Sequence, residues 1–155
     1  MSTIKHLTYK YIHTVVDELH NQLVRANYVP DFIMPIARGG IIPAGILGQY
    51  YPEARYYLIQ TKSYVDKTAN SVTIFIPKSI AKDIDKSSKI LIVDDIYDTG
   101  NTLQEVRNVL KDNGIKNNIA TATLYLREEA TGTPDFFVES IKKKVWLNFP
   151  WELKE

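Results

Sequence analysis

The residues with the most chemistry to offer lie in one run, Ile90-Leu-Ile-Val-Asp94-Asp95-Ile-Tyr-Asp98-Thr99-Gly100-Asn101-Thr102. An apolar stretch ends in two carboxylates. A third follows, and a small-residue segment then opens what reads as a helix. In open α/β sheets, ligands bind outside the carboxyl ends of the strands. Thr99 to Thr102 would present backbone N–H groups and hydroxyls at a helix N-terminus, which suits a phosphate. Gly100 would let the backbone approach that ligand closely. Asp94 and Asp95 are hard oxygen ligands suited to Mg²⁺ or to ribose hydroxyls. Any one of these aspartates is explained as well by turn formation; the ordered run of thirteen residues argues for a site.

A second segment, Pro35-Ile-Ala37-Arg38-Gly39-Gly40, has the chemistry of a diphosphate loop. Arg38 supplies charge-assisted donors, and the glycines allow close backbone approach. Alone, such a segment is more often a tight turn with a solvated arginine.

The elements that must hold these residues follow from periodicity. Thr8 is a good N-cap, and Ile12, Val15, Val16, Leu19 and Leu23 then form one apolar helix face. Residues 31–37 read as a buried strand despite Pro35. A helix follows the glycines, with Pro43 in its first turn. Residues 55–61 are a strand, 62–70 a polar loop, and 71–76 a strand. Lys89 to Val93 is a continuous apolar run, as a central parallel strand should be. The next helix has Leu103, Val106 and Leu110 on one face and a stop at Gly114. Residues 119–126 are another strand. Strands alternating with helices predict a mainly parallel α/β sheet. The last twenty residues, with Trp146, Phe149, Pro150 and Trp151, read as an aromatic flap.

VDDIYDTGNT resembles the motif for phosphoribosyl pyrophosphate (PRPP) of the type I phosphoribosyltransferases. The resemblance implies that family's fold: a mainly parallel twisted core sheet flanked by helices, with a small C-terminal hood. It implies that Asp94 and Asp95 face ribose hydroxyls and the metal shell, and that Thr99, Gly100, Asn101 and Thr102 hold the 5′-phosphate. Asp98 becomes the general base, because the 6-oxopurine branch carries an acid there. Ala37, Arg38 and Gly39 become the pyrophosphate loop, with a cis Ala37–Arg38 bond. Gln60 to Asp66, with Ser63 and Tyr64, resembles the start of a mobile hood. Thr123 to Arg127 and Val145 to Glu152 resemble the base pocket of xanthine-guanine phosphoribosyltransferases. There, Arg127 would donate to the purine 6-oxygen, Trp146 would stack on the ring, the Leu147 backbone would read the 2-substituent, and Glu152 would belong to the same pocket. The family usually has lysine where this chain has Arg127, and the two are not interchangeable.

The implied activity is transfer of 5-phosphoribosyl from PRPP to xanthine, guanine or hypoxanthine. The products are pyrophosphate and a nucleoside monophosphate, with Mg²⁺ as cofactor. Two other readings stay open: a PRPP-binding regulator of the same fold, and a transferase for a non-purine acceptor. The family resemblance also implies a homodimer or homotetramer.

Composition narrows the rest. The 155 residues predict a single domain, with a core over about 8–127 and a flap over about 128–155. A net charge of +1 gives no reason to expect nucleic acid or an anionic membrane as partner. With no cysteine, disulfides, thiolate metal sites and cysteine nucleophiles are excluded. No apolar run approaches the ~20 residues of a membrane span, and the start lacks a signal-peptide core, so a cytoplasmic protein is expected. His13 and His20 would lie about 10.5 Å apart along the first helix and cannot share a metal. They and His6 read as surface residues.

Overall fold

The structure, a computed structural model, describes residues 2–66, 69–116 and 118–153, with side chains described outside 63–72. Nine strands and four helices appear among these residues: β1 (Thr3–His6), α1 (Tyr9–Arg25), β2 (Phe32–Ala37), α2 (Ile41–Leu47), β3 (Arg55–Tyr56), β4 (Ile59–Asp66), β5 (Ala69–Phe75), α3 (Ile80–Asp83), β6 (Lys89–Tyr97), α4 (Asn101–Asp112), β7 (Asn118–Arg127), β8 (Phe136–Ile141) and β9 (Val145–Asn148). The main sheet runs β5-β4-β2-β6-β7-β8, with β3 also paired to β2. Every pairing in it is parallel except β4 with β5. This is the type I phosphoribosyltransferase architecture that the sequence predicts.

The central strands are apolar throughout because both faces are covered. Alternation then sorts their side chains. Ile33, Leu91 and Val93 face the α1 side, packed with Ile12, Val15, Val16, Leu19 and Leu23. Met34, Ile90 and Ile92 face the other way, against Leu103, Val106 and Leu110 of α4. Thr8 caps α1 by accepting from the Tyr11 N–H at 3.1 Å.

Pro35 sits in a central strand, where a missing N–H is normally costly. The register explains why it is tolerated. β2 pairs with β3 at Phe32 and Ile33, and with β4 only from Ile36 onward. The Ile33 carbonyl accepts from the Tyr57 N–H, so Pro35, two residues on, turns the same way. Its absent N–H falls where that ladder is interrupted.

Three local expectations need correction. Residues 62–66 and 69–70 are not loop but strand: β4 and β5 pair antiparallel in seven register pairs, from Gln60↔Phe75 to Asp66↔Ala69. The polar composition misled because a two-stranded ribbon satisfies its backbone across the ladder and needs no apolar face. Residues 67 and 68 lie outside the described residues. Second, residues 136–141 are not flap: β8 extends the main sheet beyond β7. Third, the fold begins before the expected core of about 8–127. β1 pairs in parallel with β9, from Thr3↔Val145 to His6↔Asn148, in a separate two-stranded sheet. Lys5 adds an ion pair to Glu139 of β8 at 3.2 Å.

The flap is therefore held from two directions. Leu147 and Phe149 bury their side chains in the α1-side core, while β1 supplies the only strand that pairs with β9 among the described residues. Deleting residues 2–6 is expected to speed amide exchange across 145–148 by roughly tenfold or more while leaving β6 and β7 protected, since local openings report local contacts. Unchanged exchange at 145–148 would refute the role given to β1.

Candidate functional site

The candidate site lies where β2 and β6 end, and two glycines decide its shape. A Cβ on Gly39 would fall 2.4 Å from Asp95 Oδ2, and one on Gly40 would fall 2.2 Å from the Val93 carbonyl oxygen. At Gly40 the obstacle is backbone and no side chain fits, whereas at Gly39 a side chain would have to displace the Asp95 carboxylate, so the loop after β2 lies directly on the end of β6. The peptide bond Ala37–Arg38 is cis. Arg38, Gly39, Asp95, Trp151, Glu152 and Leu153 then line a cavity of about 490 Å³.

Asp94 and Asp95 stand side by side, both partly buried. The Asp95 N–H donates to Asp94 Oδ1 at 2.9 Å, and the Ile96 N–H donates to Asp95 Oδ1 at 2.7 Å. Loss of hydration raises the Asp94 carboxyl well above its usual range, and the neighbouring charge of Asp95 adds to this. Burial also raises Asp95, with a smaller push from Glu152. A desolvated pair of acids favours a cation or hydroxyl donors. Among the described residues no cluster of three or more metal-ligating side chains exists. The donor set fits Mg²⁺, which usually takes one or two carboxylates and fills its shell with water and substrate oxygens.

From Asp98 the chain turns into α4. Gly100 takes φ +88°, and a Cβ there would meet the Tyr97 hydroxyl oxygen at 2.2 Å. The N-cap residue Gly100 brings no side chain, and apart from the Asn101 N–H, which donates to Thr99 Oγ1 at 3.3 Å, the α4 N-terminus keeps donors for a ligand. Asp94, Tyr97, Asp98, Thr99, Gly100 and Thr102 surround a hollow of about 60 Å³. Asn101 begins the helix without lining it.

Asp98 and Thr99 also line a third cavity, of about 270 Å³, with Arg127, Glu129, Ala130, Thr131 and Lys143. The Asp98 side chain is 70% exposed, whereas that of Arg127 is 10% exposed. Arg127 Nε faces Asp98 Oδ1 at 3.5 Å, but its N–H is not aimed to make a hydrogen bond. The Arg127 guanidinium is a strut: its Nη1 donates to the Lys142 carbonyl at 2.9 Å and to the Val145 carbonyl at 2.6 Å. The next two residues act likewise. The Glu128 N–H donates to the Ile141 carbonyl, and both Glu129 carboxylate oxygens accept from the Lys143 N–H. That amide holds the Glu129 carboxyl below its usual range.

The aromatic side of the site differs from the sequence-based expectation. Trp146 is 61% exposed and lines none of these three cavities. Leu147 buries its side chain in the core, and only its backbone faces β1. Trp151 is the indole at a cavity, stacked on Phe149 with ring centroids 4.7 Å apart. Glu152 sits by Asp95 and Arg38 rather than by Asp98, and its carboxylate accepts from the Phe149 N–H at 3.0 Å. Ser63 and Tyr64 have backbones in β4, but their side chains lie outside those described. Sequence reasoning missed Trp151 and Lys143 as cavity residues. The signal for Trp151 was present in Pro150-Trp151-Glu152, whereas nothing local distinguishes Lys143 from its neighbours Lys142 and Lys144.

Comparison with known proteins identifies the family. The family model described as "Phosphoribosyl transferase domain" matches residues 7–155. A xanthine-guanine phosphoribosyltransferase of Chromohalobacter salexigens is 29% identical over 150 residues, covering 95% of this chain and 83% of that protein. Among solved structures, a purine phosphoribosyltransferase from Pyrococcus horikoshii is 30% identical with a TM-score of 0.79, covering 98% of this chain and 95% of its own. The xanthine-guanine-hypoxanthine phosphoribosyltransferase of Helicobacter pylori is 28% identical with a TM-score of 0.84, covering 97% and 94%. With a family match over nearly its whole length and a site at the strand ends that the family motif occupies, this chain belongs to the phosphoribosyltransferase domain family.

Proposed function

We propose that this protein transfers the 5-phosphoribosyl group of PRPP to a 6-oxopurine base, releasing pyrophosphate. The observation that carries the reading is the position of Asp98. It borders both the phosphate-sized hollow at the start of α4 and the larger cavity beyond it. One carboxylate thus stands between a place for the 5′-phosphate and a place for the base. The relatives named above act on purines by name, which favours a purine acceptor over the alternatives.

The residues divide the work by chemistry. The α4 N-terminus, with Thr99, Gly100, Asn101 and Thr102, takes the 5′-phosphate through N–H groups and hydroxyls. Arg38, with the Ala37 and Gly39 backbone, takes the pyrophosphate on the far side of Asp95. Asp94 and Asp95 hold the ribose hydroxyls and Mg²⁺; bound there, the ion would neutralise charge on the leaving pyrophosphate. Asp98 accepts the proton of a purine ring nitrogen as the base attacks the anomeric carbon. The transition state of such a displacement is oxocarbenium-like, so positioning and charge stabilisation supply most of the acceleration. On the base side, family likeness implies Trp146, Leu147 and Glu152 as the purine-binding set, with Arg127 in the wall of the same cavity. Trp146 and Glu152 would have to turn toward the Asp98 cavity when the base binds. Ser63 and Tyr64 of the β4–β5 hairpin belong to a hood that closes over PRPP. The same reading takes the chain as one domain in a cytoplasmic homodimer or homotetramer. Among the described residues no helix is long and apolar enough to cross a membrane.

The test is a pyrophosphate-release assay with PRPP, Mg²⁺ and a panel of xanthine, guanine, hypoxanthine, adenine, orotate and uracil. Release is expected with at least one 6-oxopurine and not with orotate or uracil; the reverse pattern would sink the proposal. Asp98→Asn is expected to lower kcat by about 10²–10⁴-fold, the usual contribution of a positioned base, with little change in PRPP affinity. Parent-like kcat would remove Asp98 from that role. Gly39→Ala is expected to push the Asp95 carboxylate aside and to weaken binding of PRPP with Mg²⁺ roughly tenfold, as overpacking of about 1–3 kcal/mol implies. Titration calorimetry on a variant with parent-like circular dichroism measures this, and unaltered affinity would show that the contact does not shape the site.

A further inference from the structure

Two cations line the cavity beside Asp98, and the fold treats them differently. Arg127 is built into the wall. Its Nη1 is taken by two flap carbonyls and its Nε is buried, which leaves at most Nη2 to meet a ligand. Lys143 lies on the exposed rim and, among the described residues, makes no ion pair. Its ammonium acts on the Glu129 carboxylate only through its charge, whereas its backbone is tied to that carboxylate directly. The Lys143 N–H donates to Glu129 Oε2 at 2.9 Å and to Oε1 at 3.1 Å. The turn around it closes through the Val145 N–H to the Lys142 carbonyl at 2.9 Å. Arg127, Glu128 and Glu129 thus hold residues 141–145 against the end of β7.

The chemistry of the base selects between the two cations. When one imidazole nitrogen of a purine bonds to the anomeric carbon and pyrophosphate leaves, the proton on the other, N7, passes to Asp98. On a 6-oxopurine, N7 and the 6-oxygen lie on the same edge. A base that meets Asp98 through N7 therefore carries its carbonyl oxygen into the cavity that Asp98 shares with Lys143. An ammonium on a four-carbon stem has three rotatable donors for that oxygen.

Resting on the transfer reading above, we infer that Lys143 donates to the 6-oxygen of the base, and that Arg127 is the positioning residue that sets the turn carrying it. The chain would then keep a lysine donor for the carbonyl but supply it from the β8–β9 turn rather than from the end of β7.

The experiment compares Lys143→Met, Lys143→Arg and Lys144→Met in the full chain. Lys144 is on the same turn and does not line the cavity. Steady-state kinetics with guanine and hypoxanthine are paired with calorimetric binding of GMP and of ribose 5-phosphate. Lys143→Met is expected to raise KM for the base and Kd for GMP about tenfold or more, as loss of a charged hydrogen bond implies. KM for PRPP and Kd for ribose 5-phosphate should stay within about twofold. Lys143→Arg should recover most of the loss, and Lys144→Met should match the parent. An active parent whose base KM is unmoved by Lys143→Met, or moved equally by Lys144→Met, overturns this inference alone. A parent that neither binds GMP nor releases pyrophosphate with any 6-oxopurine overturns the transfer reading and this inference with it.

Discussion

The ends of β2 and β6 meet backbone to backbone, with no space for a side chain between them. Gly40 lies against the Val93 carbonyl and Gly39 against the Asp95 carboxylate, closer than any Cβ allows. The rest of the site depends on this contact. It brings an arginine loop from one strand beside the acid pair from another. It also crowds the Asp94 and Asp95 carboxyls out of water, raising both. A site in this state is prepared for a cation and for hydroxyl donors before any ligand arrives.

A second constraint acts on the flap. Ile141 and Val145 anchor the ends of this turn in the core, and between them the three lysines 142–144 are held by their main chain, which residues at the end of β7 bind. β1 secures the following strand from the other side. The outcome is a turn fixed in its backbone, with the side chains of Lys142, Lys143 and Lys144 exposed. Arg127 carries much of this load. Its Nη1 alone donates to both carbonyls, the planar guanidinium holding that nitrogen in place.

The phosphate loop and the acid pair were legible because their chemistry is local. A strand, two acids, a small-residue loop and a helix start occupy thirteen consecutive residues, and the fold keeps them together. The helices and central strands were legible for a related reason. Periodicity of burial is written along the chain wherever one face, or both, meets the core. The hairpin of β4 and β5 escaped because a self-satisfied ribbon leaves no such pattern. β8 escaped because its pairing partner, β7, is what makes Phe136 to Ile141 a strand.

By itself the sequence determined the parallel α/β sheet, the small-residue loop at the start of α4, the acids beside it and the kinship to phosphoribosyltransferases. These rest on contiguous residues whose spacing along a strand or helix is set by backbone geometry. Only the tertiary structure decided what faces Asp98 across the cavity. Trp146, Trp151, Arg127 and Lys143 are all plausible from composition, and their placement depends on β1 reaching β9 and on residues 127–129 gripping the turn. Those are pairings between residues far apart in the chain, or across a turn, and no local pattern encodes which partner each will find.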